Sequence, residues 1–137
     1  MSDDEFVDAN IPLRILLNDL PVQHDAAAEY LRAAMGSGRR LVMIPETVSE
    51  IVFVLARKPY EYNRAELVEA LESVLAFPLF FMDRAILERA LEYFRRFHDE
   101  WDDCLLSAYA ATHAEGRLVS YDKKISRIPG ITRIEPE

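Results

Sequence analysis

The sequence predicts an α/β protein, a three-layer α/β/α sandwich built on a central parallel sheet. Three observations carry this. Five short apolar segments read as strands: EFVD (5–8), LVMI (41–44), PLFFM (78–82), RLVSY (117–121) and ITRI (131–134). Between them lie helix-forming stretches at short spacing, the pattern of a parallel sheet covered by helices on both faces. Finally, carboxylates stand at the ends of the apolar runs and in the helices that follow, and ligands of open α/β sheets bind beyond the carboxyl ends of the strands.

The elements follow in order. EFVD runs into an apolar helical turn, IPLRILL. After Asn18, Asp19 and Pro21, the stretch VQHDAAAEYLRAAM is rich in strong helix formers. MGSGRR is a turn. LVMI is stopped by Pro45, which sits in the first turn of a helix reaching about Arg57. RKPYEYN is a loop, and RAELVEALESVL is an amphipathic helix. PLFFM is followed by Asp83, a favoured N-cap residue for DRAILERALEYFRRF. Another helix starts near Asp102 and ends around Gly116, before the last two strands. No internal repeat or low-complexity tract interrupts the series.

At 137 residues the chain is expected to form one domain, 1–137. That length buries roughly two-thirds of the unfolded surface. The single cysteine, Cys104, excludes an intramolecular disulfide framework and suits a reducing cytoplasm. The start, MSDDEF, has neither a basic region nor an apolar signal segment. No apolar run approaches the ~18 residues of a membrane span. A soluble, cytoplasmic protein without a membrane partner is expected. The formal charge of −8, from 16 basic and 24 acidic residues, argues against tight nonspecific phosphate binding. A locally basic rim could still steer a polyanion.

Four acids are the candidate site: Asp8, Glu50, Asp103 and Asp122. Each has a bland alternative. Asp8 could cap the turn after it, and Asp122 could be a turn residue in YDKK. Glu46 and Glu50 could favour the positive end of their helix. Glu50 lies past the first turn, among Val48, Ile51, Val52, Phe53, Val54 and Leu55. A helix apolar nearly all round is expected to be buried, and a buried carboxylate needs a partner. One of Asp102 and Asp103 can cap the next helix. Asp103 shares a face with Leu106, Ser107 and Ala110, so it should point inward. Four converging acids repel, since a like pair at ~4 Å costs about 4 kcal/mol at an effective dielectric of 20. Oxygen-only ligands favour a hard cation, Mg²⁺ or Mn²⁺. Such a centre suits phosphodiester hydrolysis.

The segments FVDANIPLRILLNDLPVQ, IPETVSEIVFVL, WDDCLLSAYA and LVSYDKKISRIPGI, in that order, resemble the PIN-domain ribonucleases, specifically the VapC-like toxins of type II toxin–antitoxin systems. The resemblance covers almost the whole chain. It implies the same α/β/α sandwich and makes Asp8, Glu50, Asp103 and Asp122 metal-binding acids. Asn10 and Ser120 would orient those ligands by hydrogen bonding. It further implies Mg²⁺-dependent endoribonuclease activity on RNA, a homodimer and inhibition by a cognate antitoxin. Two positions depart from the family pattern. Asp102 stands where a small residue is usual, so the third acid could shift by one, and Ser120 replaces threonine. Glu46 is a second candidate for the role of Glu50, one turn earlier.

Other residues carry weaker signals. His24, His98 and His113 lack metal-ligand spacing and suit surface or packing roles. Cys104 suits an inert buried thiol. Arg14 could reach a phosphate or partner, or form a salt bridge. Lys123 and Lys124 follow Asp122 and could lie at the pocket rim. HDEWDD reads as a loop entering a helix, with Trp101 packed beneath. Two other functions compete with the nuclease: a regulatory binding module without catalysis, and an acidic-site phosphatase. The acidic quartet disfavours the first. Asp8-Ala9-Asn10 lacks the second Asp that the other usually needs.

Overall fold

Leu41, Val42 and Met43 make up strand β2 (Leu41–Met43), and all three are buried. Successive side chains of a strand point to opposite faces, so this strand is covered on both. It is the centre of a parallel sheet in a computed structural model that describes residues 3–97 and 99–137. The chain forms two compact units, Met1–Met82 and Asp83–Glu137.

In the first unit β2 is flanked by β1 (Glu5–Phe6) and β3 (Phe80–Phe81), both parallel to it, in the order β1-β2-β3. Glu5 faces Leu41 in register, and Met43 faces Phe81. Parallel neighbours need a long crossover. Helices α1 (Asn10–Leu17) and α2 (Pro21–Ser37) supply the first, and α3 (Pro45–Ala56) and α4 (Arg64–Leu75) the second. Local chemistry sets their ends. Pro21 and Pro45 open α2 and α3, where a missing N–H costs nothing. Asn18, in the left-handed region at φ 50°, closes α1. The Asn63 side chain and Glu66 cap α4 reciprocally. Leu31, Ala34 and Leu41 form one core cluster, with Val7, Ile11, Ile15 and Leu79 packed around it.

The second unit begins with α5 (Arg84–Phe97) and α6 (Trp101–His113), which pack on each other. The buried stripe of α5 is Ile86, Leu87, Ala90, Leu91 and Phe94. Trp101 is buried, its ring edge-on to Phe94 at 5.8 Å between centroids. Strands β4 (Arg117–Val119) and β5 (Thr132–Ile134) then pair in parallel. They are joined through a short 3-10 helix, Lys123–Arg127. Ala110, Leu118, Ile125, Ile128 and Ile131 make the core beneath them.

The parallel α/β arrangement expected from the sequence is present. The strands are shorter than their apolar segments. Ile44 leaves β2 in extended conformation to become the N-cap of α3, because Pro45 follows it. PLFFM forms a strand over Phe80–Phe81, with Met82 N–H still donating to the Met43 carbonyl at 3.0 Å, and Pro78 has no N–H to extend the ladder at its start. Helix α6 starts at Trp101 with Glu100 as its N-cap residue, so neither Asp102 nor Asp103 caps it, and it ends at His113 rather than Gly116. Asp83 is in the left-handed region at φ 55°. Its carboxylate accepts the Tyr109 hydroxyl at 2.7 Å. His98, expected in a surface or packing role, lies outside the described residues, as do Met1 and Ser2.

Two glycines give opposite expectations. Gly36 lies in α2 with open space where a Cβ would sit, so Gly36→Ala should raise stability by roughly 0.5–1 kcal/mol. At Gly116, φ is +82° and a Cβ would stand 1.9 Å from the Gly130 carbonyl oxygen. Gly116→Ala should therefore destabilise strongly, because backbone rather than a flexible side chain must move. Thermal denaturation of the two variants checks both signs.

Candidate active site

The first unit carries two of the four acids. Asp8 stands two residues past the end of β1 and is exposed. Its Oδ1 accepts the Ala9 N–H at 2.6 Å, and its Oδ2 accepts the Asn10 side-chain amide at 3.4 Å. Asn10 thus touches the carboxylate that the resemblance says it should orient. Glu50 lies in α3, and the structure corrects the expectation that this helix is apolar and buried all round. Val48, Ile51, Val52 and Leu55 are buried, whereas Glu46, Glu50 and Phe53 form an exposed stripe at helical spacing. Arg57 lies over the Phe53 ring at 4.3 Å. Glu50 therefore needs no buried partner. Arg14 is engaged within its own unit: it pairs with Asp19 at 3.2 Å, and Asp19 also accepts the Tyr60 hydroxyl.

The second unit carries the other two. Asp103, in the first turn of α6, is half-buried, while its neighbour Asp102 is exposed. Loss of water around Asp103, and then the charge of Asp122, raise its carboxyl above the usual carboxylate range. Asp99, Glu100 and Asp102 push it the same way. Asp122 sits at the head of the 3-10 helix, where its Oδ1 accepts the Lys124 N–H at 2.9 Å. The Ser120 Oγ accepts the Asp122 N–H at 2.9 Å. Ser120 is itself fixed, its N–H donating to the Ile134 carbonyl and its own carbonyl accepting Arg133 Nη1, both at 3.0 Å. Lys123 and Lys124 are exposed on the same turn.

Within each unit, among the described residues, no three Asp, Glu, His or Cys side chains are gathered closely enough to enclose an ion. Two carboxylates per ion remain compatible with Mg²⁺, which commonly takes one or two together with substrate phosphates and water. The donor set of unit two fits a hard cation. Asp103 and Asp122 offer oxygen only, repel each other, and among the described residues neither forms an ion pair with a basic side chain. Asp99, 4% exposed, which raises the Asp103 carboxyl, and Arg133, on β5, which holds the Ser120 carbonyl, escaped the sequence reading. HDEWDD reads as a loop entering a helix, with no buried acid in it, and only the charged residue inside ITRI hints at Arg133. His24 pairs with Asp25, His113 stacks on Tyr109, and Cys104 is fully buried, as expected of residues outside a site. No helix among the described residues is long and apolar enough to cross a membrane.

Parallel strands covered by helices, with acids after the strands and at the head of a helix, place the chain in the α/β class. The family is narrower: the PIN domain model matches residues 6–131, and the chain belongs to that family. It is also similar to VapC ribonuclease Mb1869c of Mycobacterium bovis and to Ribonuclease VapC13 of Mycobacterium tuberculosis. Each is 29% identical over 133 residues, covering 93% of this chain and 97% of the relative.

The raised carboxyl of Asp103 has a sign that can be measured. A carboxyl whose folded pKa is raised contributes no penalty below its unfolded value of about 3.9, where both states are protonated. The penalty grows as pH rises through the folded value and persists above it. In EDTA, Asp103→Asn should therefore be more stable than the wild type at pH 7, with the advantage shrinking toward pH 4. Urea denaturation at the two pH values reads this; an offset independent of pH would show that charge is not its source.

Proposed function

We propose that the chain is a divalent-metal-dependent endoribonuclease, one nuclease domain over 1–137, and the toxin of a type II toxin–antitoxin pair. The observation that carries this is the PIN match, which runs from residue 6 to 131 and spans all four acids. The names of the two mycobacterial relatives support RNA as the substrate. In this reading Asp8, Glu50, Asp103 and Asp122 bind Mg²⁺ or Mn²⁺. A bound cation of this kind supplies Lewis acidity toward the phosphodiester and acidifies the attacking water.

The chain's own residues prepare that chemistry. Asn10 holds one oxygen of Asp8, and the Ala9 N–H holds the other. Ser120 fixes the backbone of Asp122, and the Lys124 N–H leaves one oxygen of Asp122 for a ligand. Asp103 brings a desolvated carboxylate whose ionised form a cation would favour. Lys123 and Lys124 are exposed on the turn after Asp122, where they can meet substrate phosphates; Arg14, paired with Asp19, is the weaker candidate for such a contact. A cytoplasmic homodimer, inhibited by an antitoxin that presents Arg or Lys to the acids, completes the proposal.

Purified protein should cleave RNA with Mg²⁺ or Mn²⁺, and excess EDTA should stop it. Asp8→Asn should lower cleavage by roughly 100-fold or more while keeping the fold. Undiminished cleavage in EDTA would sink the mechanism.

Asp102 and Asp103 should separate. Asp103→Ala should lose cleavage. Asp102→Ala should keep it and lose only a favourable helix-dipole interaction, about 0.3–1 kcal/mol. The reverse pattern in a side-by-side RNA assay would move the third acid to Asp102.

A further inference from the structure

The cations of the second unit are unevenly committed. Arg84 pairs with Glu88, Arg95 and Arg96 with Glu92, Arg117 with Glu115, and Arg133 with Glu135. Arg89 reaches the Thr112 hydroxyl. Lys123, Lys124 and Arg127 are exposed, and among the described residues none of them has an ion-pair partner. All three lie in the 3-10 helix that Asp122 heads. In a chain of net charge −8, that is a local concentration of unspent positive charge.

The geometry of the turn gives this charge a direction. Ile125 and Ile128 are buried and anchor the inner side of the 3-10 helix and its end. With three residues per turn and ~2 Å rise per residue, Lys124 and Arg127 stack on one face about 6 Å apart along the axis. Tyr121, immediately before Asp122, is 70% exposed. Its backbone is not loose. The bonds Ser120 N–H to Ile134 O, Asp122 N–H to Ser120 Oγ and Lys124 N–H to Asp122 Oδ1 hold the turn on both sides of it. An ordered turn therefore presents an exposed aromatic ring just ahead, in the chain, of cations that have no ion-pair partner among the described residues.

We propose that Tyr121, Lys124 and Arg127 form a subsite for one unpaired nucleotide of the RNA, the base stacking on Tyr121 and the adjoining phosphates meeting Lys124 and Arg127. This rests on the nuclease reading and deepens it. Aromatic stacking and backbone-tracking cations are the way single strands are bound without sequence readout. A base inside a duplex has both faces occupied, so the subsite selects single-stranded segments.

Binding of a fluorescent mixed-sequence oligoribonucleotide tests the proposal, measured by anisotropy in the full-length chain with Mg²⁺ present. Asp8→Asn serves as the background, so that cleavage does not consume the probe. Adding Tyr121→Ala should weaken single-strand binding by roughly 5- to 100-fold, as loss of a stacked base does. Tyr121→Phe should keep it, and duplex binding should be unmoved by either. Lys124→Ala with Arg127→Ala should reduce the salt dependence by about 0.7 per lost phosphate contact. Equal single-strand binding with and without Tyr121→Ala overturns the subsite. If the wild type also cleaves RNA in that case, the nuclease reading survives alone. A wild type that neither binds nor cleaves RNA removes both. A Tyr121→Ala variant that turns a dimer into a monomer would make the ring an interface between copies, and would overturn the subsite too.

Discussion

Parallel strand pairing is the constraint on which everything else here depends. A parallel neighbour cannot be reached by a tight turn, so each pair demands a connection long enough to return the chain to the same end. In the first unit β1, β2 and β3 meet this with two helices per crossover. The consequence is chemical as well as architectural. Asp8 follows β1 and α3, with Glu46 and Glu50, follows β2, so both segments leave the same edge of one sheet. In the second unit the same rule puts the turn of Asp122 directly after β4.

Placing carboxylates near one another opposes ordinary electrostatics. Asp103 illustrates the tension: partial burial removes the water that would screen it, and Asp122, Asp99, Glu100 and Asp102 all add like charge. A fold selected only for stability would have little use for this arrangement, since a neutral residue would remove the repulsion. The bonds that fix Asp122, from Ser120 Oγ, the Lys124 N–H and, through Ser120, Arg133, hold the acid in place despite the repulsion. That combination of unfavourable charge and firm backbone support is the observation that favours the proposed cation-dependent centre.

Net charge gives a poor account of what such a chain can bind. A total of −8 disfavours a polyanion on average. Yet most arginines of the second unit are neutralised by a neighbouring carboxylate, while among the described residues Lys123, Lys124 and Arg127 of the 3-10 helix have no ion-pair partner. What steers a charged ligand is the local field near the site, and long-range repulsion between exposed charges is screened beyond about 8–10 Å at ordinary ionic strength.

The sequence by itself determined the class of fold and the order of its elements, and it supplied the acids of the proposed site. Apolar runs alternating with helix formers are legible because burial on both faces of a parallel strand demands continuous hydrophobes, as in Leu41–Met43. Proline marked helix starts because its fixed φ and missing N–H suit the first turn, and asparagine and glycine marked helix ends because they tolerate the left-handed conformation. The four acids were legible from their place in the segments, and the family from their joint order. Tertiary structure decided what periodicity could not. Glu50 lies on an exposed stripe, not in an enclosed helix, because burial depends on which face a neighbour covers rather than on average composition. Asp99 is buried although it sits in the acidic run that reads as a loop entering a helix, and Arg133 reaches back to Ser120 thirteen residues away in sequence. Such effects arise between segments distant along the chain, and a local pattern holds no information about which distant carboxylate or carbonyl will be its neighbour.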